Sequence, residues 1–134
     1  MIGNGGDTPN GSGGMIPSVA PPFGMTRWVA QTRENYVSVL PYNHTDTVIR
    51  GFQGTHQPAI WMGESGQVII APGIGEVKPS FEDRGLSFKK ENEVSTVSYY
   101  KVDMENDEGD QITAEIGAST SVICVYILLV RIIV

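Results

Sequence analysis

The stretch GFQGTHQPAIWMGE, residues 51–64, gathers side chains that could bind a sugar. An imidazole, an amide, an indole and a carboxylate occur within nine residues, at His56, Gln57, Trp61 and Glu64. Sugars present C–H faces that stack on aromatic rings, and hydroxyls that need paired donors and acceptors. This mixture of side chains on a glycine-containing segment is therefore typical of a carbohydrate-binding site.

A second stretch, PPFGMTRW at residues 21–28, adds Phe23, Arg27 and Trp28 to this chemistry. The alternative interpretation is that the aromatic residues of both stretches belong to the hydrophobic core and that His56 is a half-buried, hydrogen-bonded histidine. Composition alone favours the core interpretation, because large aromatic side chains are mostly buried in globular proteins.

Other site chemistry finds less support in the sequence. The glycine-rich segment 3–14 contains no lysine and precedes no helical pattern, so it is not a phosphate-binding loop. The acidic segment 104–115 has Met104 where a calcium-binding loop needs an acidic ligand. Glycoside hydrolysis needs two carboxylates about 5–9.5 Å apart. Most acids here lie in hydrophilic turns and only Glu64 has apolar neighbours, so we predict no catalytic and no metal-binding residue.

Composition narrows the classes of partner. The chain has 134 residues, a net charge of -6 and a pI near 4.7, which argues against a nucleic-acid partner. The single cysteine, Cys124, cannot form an internal disulfide, and we expect it to be a small buried apolar residue. No signal peptide is recognisable at the N-terminus. Two N-glycosylation sequons are present, at residues 10–12 and 43–45.

The C-terminal run VICVYILLVRIIV, residues 122–134, is apolar except for Arg131. A helix needs about 20 such residues to span a bilayer, so the run predicts a buried strand and no membrane span.

The elements that would position these residues are strands. Short runs rich in β-branched and aromatic residues alternate with turn residues, and no window has helical periodicity. The sequence therefore predicts an all-β fold, an antiparallel β-sandwich with very little helix. Gly109 in the segment ENDEGD predicts a hairpin turn. The predicted strands are 36–40, 47–52, 67–71, 86–88, 94–104, 111–116 and 122–134.

Five segments, in order and at their spacing, resemble one known family. They are IGNGG, GGMIPSVAPPFGMTRWVAQTREN, IRGFQGTHQPAIWMGE, VIIAPG and SYYKV, which lie between residues 2 and 102, and the resemblance as a whole extends over roughly residues 2–118. They resemble the N-terminal domain of glycoside hydrolase family 92, the calcium-dependent exo-α-mannosidases, and most of all its fungal branch.

The resemblance implies a β-sandwich that leans on a larger (α/α)6 barrel. In the family the barrel supplies the general acid, the base and most calcium ligands, so we expect this chain to hold no cofactor. The N-terminal domain contributes loops to the mannose pocket. His56 matches the TH position of the family motif, and Glu64 stands where relatives often carry Asp. With Trp61, Phe23 and Arg27, these are the expected contacts with α-mannoside glycans or with the barrel.

We expect residues 1–118 to be a partial domain of this kind and residues 119–134 to be a divergent tail of a truncated product. The tail could fill a strand position or stay exposed and promote aggregation. Relatives are often secreted, but the compartment of this chain stays open. The expected function is that of an α-mannosidase fragment, inactive alone, which would act on terminal α-linked mannose in N-glycans when intact. The alternative is a freestanding carbohydrate-binding or structural module.

Overall fold

All the regular secondary structure in the part of the chain that the structure describes is β-strand. The computed structural model describes residues 4–6, 15–24, 26–34, 40–55, 68–118 and, for the backbone alone, 127–133. Within these ranges there are eight strands and no helix: β1 Arg27–Gln31, β2 Val48–Ile49, β3 Gly51–Thr55, β4 Val68–Ile70, β5 Leu86–Ser95, β6 Tyr99–Glu105, β7 Gln111–Gly117 and β8 Ile127–Ile133. The described ranges accordingly contain no helix that could cross a membrane.

The strands form two antiparallel sheets over one core. One sheet has the order β1-β3-β4 and the other β2-β5-β6-β7-β8. Phe52 of β3 meets Tyr100 of β6 edge to face, with ring centroids 6.1 Å apart. The core draws on both sheets: Val19, Trp28, Val29, Ala30, Tyr42, Ile49, Phe52, Leu86, Phe88, Tyr100, Val102, Met104, Ile112, Ala114 and Ile116. The predicted all-β, antiparallel two-sheet fold is confirmed.

The chain changes sheets at Arg50. Residues 47–52 were predicted to form one strand, but β2 belongs to the five-stranded sheet and β3 to the three-stranded one. Gly51 makes the change possible, with a φ of 153° and a Cβ position only 2.9 Å from the Ile69 side chain. A side chain there would be strained and would collide with β4.

The β6–β7 hairpin is the best-predicted element. The two strands pair from Tyr99↔Gly117 to Glu105↔Gln111, and Gly109 takes a φ of 91° in the turn. The prediction of one strand over 94–104 was wrong, because β5 ends at Ser95 and a turn intervenes. The Thr96 hydroxyl accepts a hydrogen bond from Tyr99 N–H at 3.1 Å and closes that turn without glycine or proline.

The outcome differs for two further segments, the strand β1 and the C-terminal run. β1 was not predicted, because four of its five residues are buried and it has no alternating pattern. The apolar C-terminal run does contain a strand, β8, which pairs along the whole of β7 from Gly117↔Ile127 to Gln111↔Ile133. The predicted strand 36–40 and Cys124 lie outside the described residues, apart from Leu40.

Candidate functional site

A tight turn presents Phe23 to solvent. Gly24 N–H donates to the Pro21 carbonyl at 2.9 Å, and Phe23 in between has a φ of 66°. A positive φ at this position marks a type II turn, where glycine is the usual residue. Phe23 is fully exposed, with a relative accessibility of 104%. The fold thus holds a bulky aromatic residue in a strained backbone conformation without burying its ring.

The strand that follows this turn brings Arg27 next to Thr55, the residue that precedes His56 in the sequence. Val19 and Trp28 exchange two backbone hydrogen bonds, so residues 20–24 and 26–27 belong to a hairpin-like loop. Arg27, the first residue of β1, pairs with Thr55, the last residue of β3. The end of β3 therefore lies beside Arg27, four residues after Phe23 in the sequence.

The second sheet contributes to the same end of the sandwich. Ala20 N–H donates to the Val97 carbonyl at 2.9 Å, so the turn between β5 and β6 lies beside the Phe23 loop. Val97 is 66% exposed, and Val68, which pairs with Gly54 near the end of β3, is 58% exposed. We call this end, with Phe23, Arg27, Val68 and Val97, the apolar rim.

The structure places two of the five predicted site residues, Phe23 and Arg27, and both lie on the apolar rim. His56, Trp61 and Glu64 lie outside the described residues, so their roles stay predictions. The core interpretation is correct for Trp28, which is 9% exposed and packs over Gly54. It is wrong for Phe23, whose ring does not enter the core.

Sequence reasoning missed a half-buried carboxylate, Glu93, that two buried tyrosines contact. Glu93 was taken for a solvated turn acid, but it lies in β5, paired with buried Val102. Its two carboxylate oxygens accept hydrogen bonds from the hydroxyls of Tyr42 at 2.8 Å and Tyr100 at 2.7 Å. Lys90 Nζ donates to the Tyr42 hydroxyl at 3.2 Å. Because both oxygens already accept a hydroxyl, this acid serves the fold and is not a free general base.

A bulge brings these four groups together. Residues 89–92 of β5 lie opposite Asp103 alone, between the pairs Phe88↔Met104 and Glu93↔Val102. Burial and the Glu93 carboxylate raise the pKa of Tyr42 and of Tyr100 far above the ordinary value. Burial lowers the pKa of Lys90. The charged KKENE sequence gave no sign of an inward-pointing acid.

The described residues contain no group of three His, Cys, Asp or Glu side chains that could hold a metal ion. They do not fit the calcium ion that the family resemblance implies. A cavity of about 620 Å³ lies at the opposite end, lined among others by Arg50, Lys78 and Asp107. Of the predicted site residues that the structure describes, neither Phe23 nor Arg27 lines it. Arg50 is already engaged there, donating to the Glu82 carbonyl at 2.8 Å.

Comparison with models of protein families shows which family this chain is related to. The model of the glycosyl hydrolase family 92 N-terminal domain matches residues 1–125. The chain belongs to this family. Its described fold is accordingly that of a family 92 N-terminal domain, and β8 begins beyond the matched range.

A solved structure agrees with this assignment. The family GH92 inverting mannosidase from Bacteroides thetaiotaomicron VPI-5482 is 31% identical, with a TM-score of 0.64 over 87% of this chain. The match covers 16% of that mannosidase, so the family 92 domain seen here spans about a sixth of its length. Comparison with curated protein sequences produced no match. The domain boundary at residue 118 stays a prediction.

Proposed function

We propose that this chain is the N-terminal part of an α-mannosidase, in which the apolar rim faces the catalytic (α/α)6 domain and forms part of the wall of the mannose pocket. The observation that supports the proposal is that the Phe23 turn, Arg27 and Thr55, the residue before His56 in the sequence, lie at one end. An exposed aromatic ring, a guanidinium and the predicted His56–Trp61–Glu64 segment together suit both a sugar and a protein surface.

On this proposal the chain alone hydrolyses no α-mannoside. An inverting glycosidase needs one carboxylic acid to protonate the leaving oxygen and one carboxylate to activate water. We expect both groups, and the calcium ion of the family, to reside in polypeptide outside this chain. The rim residues would then orient the substrate and exclude water from the pocket.

A chimera tests the role of the rim. We would replace the N-terminal domain of the matched mannosidase with this chain and measure kcat/KM for an aryl α-mannoside. Phe23→Ala and Arg27→Ala are expected to lower kcat/KM about tenfold or more, a typical consequence of misplacing a substrate. The matched control is Val77→Ala, because Val77 is 86% exposed at the opposite end. Rim variants as active as this control would refute the proposal.

The second candidate is a freestanding carbohydrate-binding module. The exposed ring of Phe23 favours this second candidate, because it could stack on a sugar ring. Titration of the isolated chain with mannose and mannobiose, followed by NMR, separates the two. We expect no saturable shift, because a shallow rim without the second domain leaves the sugar hydrated. Saturable shifts of Phe23 and Arg27 that Phe23→Ala abolishes would favour the module instead.

A further inference from the structure

The sequon Asn43-His44-Thr45 lies in an exposed loop, but its acceptor residue, Asn43, is buried. His44 and Thr45 are exposed, whereas Asn43 is 1% exposed. An N-glycan is attached to the side-chain nitrogen of asparagine and must extend into solvent. The residue that would carry the glycan is thus the one that the fold encloses.

Both ends of the Asn43 amide are used inside the protein. Its Oδ1 accepts hydrogen bonds from Thr45 N–H at 3.0 Å and from the Thr45 hydroxyl at 2.8 Å, which forms an Asx turn. Its Nδ2 donates to the Gly6 carbonyl at 3.3 Å. His44 N–H also donates to the Asn4 carbonyl, so the segment 4–6 lies directly over the acceptor nitrogen.

The backbone of Asn43 is held as firmly as its side chain. Asn43 N–H donates to the Thr32 hydroxyl at 3.0 Å, and that hydroxyl donates to Asp46 Oδ2 at 2.7 Å. Asp46 also accepts two hydrogen bonds from the guanidinium of Arg33, at 2.8 and 2.9 Å. The loop cannot turn Asn43 outward without breaking this network, which includes a bidentate ion pair.

We propose that the native fold and an N-glycan on Asn43 exclude each other, so that folding and glycosylation compete for this residue whenever the chain meets an oligosaccharyl transferase. A glycosylated amide keeps one N–H and could still bond Gly6, so the lost hydrogen bond is not the obstacle. The obstacle is steric, because a buried nitrogen leaves no path for the sugar. Chains that fold first stay unmodified, and chains modified first cannot close the segment 4–6 over the loop.

The test is secretion from yeast behind a leader peptide, with Asn10→Gln in every variant to remove the other sequon. The folded monomer is isolated and its mass measured before and after glycosidase treatment. The matched control is Val94→Thr, which creates a sequon at Asn92. Asn92 is exposed in the bulge and Val94 is 48% exposed, so this acceptor is open.

We expect the control monomer to carry one glycan, on Asn92, and the parent monomer to carry none, with any glycan on Asn43 confined to the aggregated or retained fraction. Thr32→Val keeps the sequon but loosens the loop, and should raise occupancy of Asn43 in total protein several-fold. A folded parent monomer with a glycan on Asn43 would overturn the proposal. So would unchanged occupancy in a Thr32→Val protein whose stability has fallen.

Discussion

At the scale of single residues, Phe23 shows most clearly which features can be predicted from the sequence and which depend on the folded backbone. The motif PPFGM marked it as a site or core residue, and the choice depended on backbone geometry that composition does not encode. The positive φ follows from the turn that Gly24 closes onto Pro21. For His56, Trp61 and Glu64, residue types and the family motif remain the basis of the prediction.

Replacement of Phe23 by glycine should stabilise the isolated chain relative to Phe23→Ala. Both variants remove a fully exposed ring, so Phe23→Ala is expected to change the free energy of unfolding by less than about 0.5 kcal/mol. Glycine also relieves the positive φ, which costs a non-glycine residue roughly 1 kcal/mol. Part of this gain is offset by the greater freedom of glycine in the unfolded chain.

Urea unfolding of the three proteins measures these differences. We expect Phe23→Gly to exceed Phe23→Ala by about 0.5–1 kcal/mol. If Phe23→Gly were less stable than Phe23→Ala, the positive φ would be contradicted. If both variants were clearly less stable than the parent, the ring would contribute to folding and would not be held for a partner.

At the scale of elements, the β6–β7 hairpin was predictable because its turn and its alternation are local signals. The sheet change at Arg50 and the bulge in β5 were not, because they depend on contacts with strands distant in sequence. In the bulge, Lys90 and Glu93 look like surface charges until Tyr42 and Tyr100 are brought to them. Local sequence pattern therefore predicted where strands form better than it predicted where the chain changes from one sheet to the other.

Substitution of Gly51 should be severely destabilising. Gly51→Ala forces a strained φ and places Cβ 2.9 Å from the Ile69 side chain, so we expect a loss of about 2–4 kcal/mol in the free energy of unfolding. Gly73→Ala is the control, since a Cβ there meets nothing within 4 Å. Equal stability of the two variants in urea unfolding would show that the chain does not change sheets as described.

The Glu93 cluster should make stability depend on alkaline pH. The folded-state pKa values of Tyr42 and Tyr100 are raised above the ordinary 10.0, so the stability they contribute is complete below pH 10. It is lost as pH rises above 10, by up to about 1.4 kcal/mol per pH unit for each tyrosine. Lys90, with its lowered pKa, acts in the opposite direction: its contribution grows with pH until the ordinary value of 10.5 and is constant above it.

The Tyr100→Phe variant measures how much Tyr100 contributes to the loss of stability at alkaline pH. It removes one hydrogen bond to a carboxylate, so we expect a loss of about 2 kcal/mol at neutral pH. Above pH 10 its stability should fall less steeply than that of the parent, by up to about 1.4 kcal/mol per pH unit. Urea unfolding of the parent and of Tyr100→Phe at several pH values measures both differences. Identical alkaline slopes for the parent and Tyr100→Phe would contradict the buried cluster.

At the scale of the whole molecule, the proposed second domain would cover the exposed side chains of Phe23, Val68 and Val97 on the apolar rim. The chain covers 16% of the matched mannosidase, and the apolar rim would contact a second domain under the proposed function. The opposite end, in contrast, is lined by charged residues of both signs, as expected of a solvated surface. Sequence motifs identified the family, whereas the rim could be defined only once both sheets were in place.

Under the proposed function, the groups that cleave the glycosidic bond lie in polypeptide outside this chain. The most direct measurement is turnover of an aryl α-mannoside by the purified chain with added calcium, beside an intact family 92 mannosidase. We expect the purified chain to hydrolyse no aryl α-mannoside above the buffer blank. Turnover comparable to that of the intact enzyme would contradict it.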